Sequence, residues 1–214
     1  MHTWPSGSLL QMWAGRLEHL GFTTELADVR RATRAAEPDV RGIAFAWLGV
    51  HGDRDGLAEI RAGLEDPYPP ARVEAARAAV LLGDDAGRDQ LRALLTVDWP
   101  ETALNAAAYL ADLADPSGAP VMAAAAASAV EALRLQAVLL VRAFRRFGDA
   151  PIDVVGVLTR AALEDPSALV RREAVYQVAA LGREISAPIL RRAMNDPDPT
   201  VARAARLRAE TEAE

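Results

Sequence analysis

Leu163-Glu-Asp-Pro-Ser-Ala-Leu-Val-Arg-Arg-Glu-Ala-Val-Tyr-Gln-Val-Ala-Ala-Leu-Gly182 reads as a short turn followed by one helix. The chain repeats this phrase. Leu64-Glu-Asp-Pro through Leu82-Gly83 states it 99 residues earlier, Asp66 against Asp165. Asn195-Asp-Pro-Asp-Pro-Thr-Val201 begins it again 31 residues later, Asp196 against Asp165. A helix pair that recurs at a fixed step marks stacked repeats, because one pair cannot bury its own apolar face.

Composition agrees with an all-α chain. Hydrophobic residues make up 51% of the 214 residues and aromatics only 5%, with alanine dominant. Alanine has the highest helix propensity and lets helices approach closely. The β-branched and aromatic runs that strands favour are scarce.

Outward from the quoted phrase, helical stretches and stops alternate. Ser8 caps a first helix to about Leu20, with Leu9, Leu10, Met12, Trp13, Leu17 and Leu20 on one stripe and Gly21 as its stop. Further helices are expected over 24–37, 39–51, 54–65, 71–82, 86–96, 101–113, 119–127, 129–147, 151–163, 167–181, 184–194 and 199–209. The one over 129–147 is longer than its counterparts and breaks the spacing. The expected domains are an N-terminal capping helix over 1–23 and a single repeat solenoid over 24–214. The polar end Ala209-Glu-Thr-Glu-Ala-Glu214 suits a terminal cap.

The phrase Asp-Pro-x-x-x-Val-Arg-x-x-Ala-x-x-x-x-Ala-Leu-Gly resembles the HEAT repeat, in particular the short variety of bilin-lyase-like proteins. It is clearest at Asp165 to Gly182 and good at Asp66 to Gly83. It is recognisable from Pro38 and from Asp196, and degenerate at Asp98 and around Leu133-Arg134. The resemblance covers about residues 24–210. It implies an armadillo-like, right-handed α-solenoid (a superhelix) of about six HEAT-like helix pairs plus the N-terminal capping helix. The helix after each Asp-Pro turn would line the concave side. It also implies a ladder of Asp and the Arg six residues on: Asp66 with Arg72, and Asp165 with Arg171. Arg41 and Arg134 match the Arg alone, and Leu104 and Ala202 replace it, so the ladder should be interrupted there.

Charge and residue inventory narrow the chemistry. All 24 basic residues are arginine. The net charge is −6, unevenly spread: 11 Arg face 18 acids over 1–130, and 13 Arg face 9 acids over 131–208. That balance disfavours a duplex-tracking nucleic-acid groove. With no cysteine, disulfides and thiolate metal sites are excluded. His2, His19 and His51 have no metal-ligand spacing, and the His-Glu dipeptides of HEAT-repeat hydroxylases are missing. The N-terminus has no basic segment leading an apolar core, and Ala123 to Ala127 is too short to span a bilayer. A cytoplasmic protein is the expectation, with no cofactor and no metal.

The best functional lead is arginine. Arg142, Arg145 and Arg146 stand three and four residues apart on the long helix, flanked by Phe144 and Phe147, and Arg172 adds to the patch. The guanidinium fork suits carboxylates and phosphates. Tyr109 and Tyr176 occupy equivalent positions 67 residues apart, and Asp112 lies one turn from Tyr109. Trp47 and Trp99 read as core and turn packing, and Trp4 precedes any helix. The expected function is a non-catalytic scaffold whose groove binds a protein or peptide partner bearing acidic groups. The alternative is a bilin-lyase-like or DNA-glycosylase-like enzyme or enzyme subunit. Oligomeric state is not legible in the sequence.

Overall fold

The computed structural model describes residues 7–147 and 151–211. His2, Trp4 and the last three residues, on which earlier expectations fall, lie outside that range. Every regular element in it is helical, with no strand among the described residues. The chain divides into two compact units, Met1–Asp112 and Leu113–Glu214. The first holds α1 (Gly7–His19), α2 (Leu26–Ala32), α3 (Pro38–Val50), α4 (Leu57–Gly63), α5 (Pro69–Leu81), α6 (Ala86–Ala93) and α7 (Pro100–Asp112). The second holds α8 (Ala119–Ala126), α9 (Glu131–Leu140), α10 (Val154–Glu164), α11 (Ala168–Ala179), α12 (Arg183–Ala193) and α13 (Pro199–Thr211).

One repeat shows why the sequence folds this way. The Asp66 carboxylate accepts the Tyr68 N–H at 2.9 Å, which forms the turn, and Pro69 and Pro70 open α5 where no N–H is needed. Alanines at 71, 75, 76, 78 and 79, with Val73, form the buried stripe of α5. Gly83, at φ 86°, ends the helix. Its N–H reaches Val80 O at 3.0 Å and the next N–H, of Asp84, reaches Ala79 O at 2.9 Å, a Schellman closure. Gly21 and Gly52 make the same closure 62 and 31 residues earlier. The neighbours then pack on small residues. A Cβ on Gly49 of α3 would stand 2.7 Å from the Ala78 Cα of α5, so glycine lets these two helices touch.

The next step of 31 residues brings the stop to Ala114, which takes a left-handed φ of 60° without being glycine. An L-residue there is strained by about 1 kcal/mol relative to glycine. Ala114→Gly should therefore stabilise the protein by about 1 kcal/mol, read as a raised denaturation midpoint at unchanged slope.

A second regularity goes with these stops. Asp53-Arg-Asp-Gly56, Asp84-Asp-Ala-Gly87, Asp115-Pro-Ser-Gly118 and Asp153-Val-Val-Gly156 all have the form Asp-x-x-Gly at the entrance to an α-helix of the next pair. The aspartate turns back on its own loop: Asp84 accepts the Ala86 N–H, Asp115 the Ser117 N–H and Asp153 the Gly156 N–H. Glycine leaves room for it, since a Cβ on Gly56 would meet Asp53 Oδ2 at 2.8 Å.

The ladder exists, but its partners sit one repeat further on than the resemblance implied. Arg41 chelates Asp66 through Nε and Nη2, at 2.6 and 2.8 Å. Arg134 holds Asp165 at 2.8 and 3.0 Å, and Arg171 holds Asp196 at 2.8 and 2.9 Å. The third nitrogen of each fork donates to carbonyls of its own turn: Ala35 and Ala36, Ser128 and Ala129, Asp165 and Pro166. Each arginine thus ties its own turn to the next. Arg72 donates to the Asp66 carbonyl at 2.8 Å, not to the carboxylate that Arg41 occupies. Among the described residues no ion pair joins Arg72 to the exposed Asp98, so the ladder lapses one step before Leu104. A parallel set serves the glycine stops, with Arg30 on Asp53 and Arg61 on Asp84, each 23 residues apart.

Two expected helices differ. The one over 24–37 is confined to α2, with Thr33 as its C-cap. The long one over 129–147 is α9 only to Leu140; Val141–Arg146 is a 3₁₀ segment. Arg145 stands where a 31-residue step from Ala114 would put the glycine stop, and the chain tightens instead of turning left-handed. Three residues per turn eclipse positions three apart. Val141 and Phe144 therefore both point inward, each fully buried.

Candidate functional site

In the C-terminal unit, α11 buries Val170, Ala174, Val175 and Val178. At 100° per residue the opposite side carries Leu169, Arg172, Glu173 and Tyr176. α13 buries Val201, Ala202, Ala204 and Ala205 and turns Arg203 and Leu207 outward. Between the two helices lies an open cleft of about 560 Å³, lined by Arg172, Glu173, Tyr176, Thr200, Arg203 and Leu207 among others. Arg172 donates to the neighbouring Glu173 carboxylate at 3.2 and 2.9 Å. The Arg208 guanidinium lies over the Tyr176 ring, 4.8 Å from its centroid. Arg203 is exposed and has no hydrogen bond or ion pair among the described residues. Leu169 and Leu207 are 39% and 50% exposed, so an apolar edge accompanies the charge.

The other sequence-derived residues scatter from this cleft. The 3₁₀ geometry puts Arg142 and Arg145 on one face and Arg146 on another, which corrects the shared face expected for all three. Arg142 Nη1 donates to Gln177 Oε1 of α11 at 3.2 Å. Arg145 reaches the carbonyls of Ala180 and Leu181 at 3.4 and 3.3 Å, just past the end of α11, where a cation suits the helix dipole. Arg146 is exposed. Tyr109 belongs to the N-terminal unit and is engaged there: its hydroxyl donates to Glu74 Oε1 at 2.9 Å, and Arg77 lies over its ring at 4.9 Å. Burial, then the Glu74 charge, pushes the Tyr109 hydroxyl well above the usual phenol range, so it acts as a donor. Tyr109 and Tyr176 do share one feature, an arginine on the ring face. Trp47 is buried and stacks on His51 at 4.5 Å, and Trp99 meets Tyr68 edge-on at 5.4 Å.

Sequence reasoning missed Arg203, Leu207 and Arg208. Their signal was present, an arginine and a leucine four apart on the outer side of an already expected helix. No group of histidine, cysteine and carboxylate residues that could hold a metal occurs among the described residues. No helix among them is long and apolar enough to cross a membrane.

The span that holds the Asp66 turn, the Gly52 and Gly83 stops and the Arg41–Asp66 clamp is similar to a known family. Residues 28–111 match the model of HEAT repeats. The match runs from α2 almost to the end of α7. No curated protein matches the chain. Among solved structures, an engineered protein is 17% identical, with 88% of this chain and 96% of that one covered and a TM-score of 0.49. The complex of CpcE and CpcF of phycocyanin lyase from Nostoc sp. PCC7120 is 16% identical, with 97% and 91% covered and a TM-score of 0.48. Human deoxyhypusine hydroxylase in complex with glycerol is also 16% identical, with 99% and 92% covered and a TM-score of 0.34. Likeness at that level says nothing of activity.

Proposed function

We propose that the chain is a non-catalytic binding module whose C-terminal unit takes the acidic groups of a protein or peptide partner. The observation that carries this reading is Arg203: an exposed, unpaired guanidinium on the wall of a cleft, beside the Arg208–Tyr176 stack and Leu207. A partner carboxylate would meet a planar fork that needs no intramolecular ion pair broken first. Arg172 would add a second fork at the cost of its contact with Glu173. Arg142, Arg145 and Arg146 extend the basic surface along the unit. An edge of leucine and tyrosine supplies the apolar area that charge alone does not.

The test is affinity purification followed by charge reversal. One protein should be retained in stoichiometric amount, and raising the salt should weaken it. Arg172→Glu with Arg203→Glu should reduce affinity at least tenfold at unchanged helicity, and Arg142→Glu with Arg145→Glu by less. Undiminished binding by the first double variant would refute the assignment.

A further inference from the structure

In the C-terminal unit α11 packs on α9 on one side and on α13 on the other. Each of the three turns outward the side opposite its buried residues. At 100° per residue that side carries Ala132, Leu135 and Leu139 on α9. The matching trios are Leu169, Arg172 and Tyr176 on α11, and Thr200, Arg203 and Leu207 on α13. The clamps give the register. Arg134 of α9 and Arg171 of α11 play the same part, and their partners Asp165 and Asp196 open the turns before α11 and α13. By that register Leu139, Tyr176 and Leu207 form one row across the three helices. Two contacts agree with it: Tyr176 and Leu207 line the same cleft, and Arg142, one turn after Leu139, reaches Gln177 beside Tyr176.

The row is apolar and open, with Leu139 47% exposed and Leu207 as much so. Arginine surrounds it. Arg172 and Arg203 stand one turn before the row, Arg142 stands beyond it, and Arg208 lies across the Tyr176 ring within it. The acid on the outward side of α11, Glu173, is held by Arg172. An exposed apolar strip rimmed by charge of one sign marks a surface for a partner of the opposite sign.

We propose that this row receives an amphipathic α-helix of the partner, its apolar stripe on Leu139, Tyr176 and Leu207 and its carboxylates on the flanking arginines. This rests on the reading above, that the unit takes acidic groups, and names the element that bears them. The step of the row selects the helix. Packed helices stand about 8–10 Å apart, so an apolar anchor is offered at about that interval. Seven residues of α-helix rise about 10.5 Å and return nearly to the same face. An extended chain covers the interval in about three residues, and its successive anchors then face opposite ways. A polyproline II chain keeps one face but sets unpaired N–H and C=O groups over leucine and tyrosine. A helix pairs those groups within itself and lays down its apolar stripe whole.

The test is a titration of the full chain, by calorimetry and circular dichroism, with the peptide acetyl-Ala-Leu-Ala-Glu-Leu-Glu-Ala-Ala-Leu-Ala-Glu-Leu-Glu-Ala-Ala-amide at concentrations where it is monomeric. It should gain helicity on binding. It should bind at least tenfold tighter than a shuffled peptide of the same composition whose leucines are spread around the helix, and than a version with proline at its centre. A version with glutamine for every glutamate should bind at least fivefold more weakly. Leu139→Gln with Leu207→Gln, both at exposed positions, should weaken binding at least fivefold at unchanged protein helicity, whereas Met12→Gln, exposed in the other unit, should not change it. No binding, equal binding of the shuffled or the proline peptide, or undiminished binding by the double leucine variant would overturn the helix, and would leave the acidic reading standing wherever glutamate still outbinds glutamine. Equal binding of the glutamate and glutamine peptides would instead overturn the acidic reading on which this one rests. A doubling of the chain's mass in sedimentation that the same leucine pair abolishes would give the row to a second copy and overturn the proposal.

Discussion

Asp165→Ala is expected to destabilise the C-terminal unit by about 3–5 kcal/mol, the range for removing one member of a buried ion pair. The carboxylate is 6% exposed and the Arg134 side chain that chelates it 12%. Its loss leaves that guanidinium buried beside only the carbonyls of Ser128 and Ala129, and orphans the Ser167 N–H that forms the turn. The double variant Arg134→Met with Asp165→Leu should cost less than Asp165→Ala alone, since no charge is then stranded. Denaturant unfolding followed by circular dichroism measures both, and equal losses would contradict the account.

Acid should act on the same clamps. At Asp66 and Asp165 burial by itself would raise the carboxyl, but the arginine forks and turn N–H groups outweigh it and the pKa is lowered. At Asp196 the Arg171 hydrogen bonds lead and the direction is the same. A depressed carboxyl contributes stability that is present above its unfolded value, about 4, and is lost as pH falls through the folded value. Stability should therefore decline below about pH 5, and the decline should be shallower in the Arg134→Met, Asp165→Leu variant.

Gly87→Ala is the second large expected effect, a loss of about 3 kcal/mol. A Cβ there would lie 2.3 Å from the Ala76 carbonyl oxygen and 2.9 Å from both Ala79 Cβ and Val80 Cγ2. The obstruction is helix backbone, which cannot step aside, so α6 would have to lift off α5. Gly15→Ala is the internal comparison. Nothing lies within 4 Å of that Cβ, and α1 should gain about 0.5–1 kcal/mol from alanine's better helix propensity. Similar unfolding midpoints for the two variants would show that the close approach at Gly87 does not matter.

The helices were legible because alanine-rich stripes, Asp-Pro entrances and glycine stops all point to the same periodic reading. What escaped was three-dimensional choice. Spacing shows that an arginine follows an aspartate by six residues, but not whether its fork turns back to that carboxylate or forward to the next. Arg171 does the latter and gives its own Asp165 only a backbone bond. The 3₁₀ ending after Leu140 was hidden because Val141 to Arg146 contains no breaker. It sets Val141 and Phe144 in line on one buried face. Of the candidate site, Arg172 and Tyr176 were found and do share a cleft, while Arg203 passed unnoticed in a helix read only as a repeat end.

The forward-reaching arginines also set how freely such a chain can change length. Two of the clamps span 25 residues and one, Arg134 to Asp165, spans 31. Closing the longer loop costs only about 0.2 kcal/mol more by chain statistics. Six additional residues have thus been absorbed inside a single link, with every other link keeping its own register. A protein fastened in this neighbour-to-neighbour fashion can acquire insertions locally, as a chain of hooks accepts one longer hook.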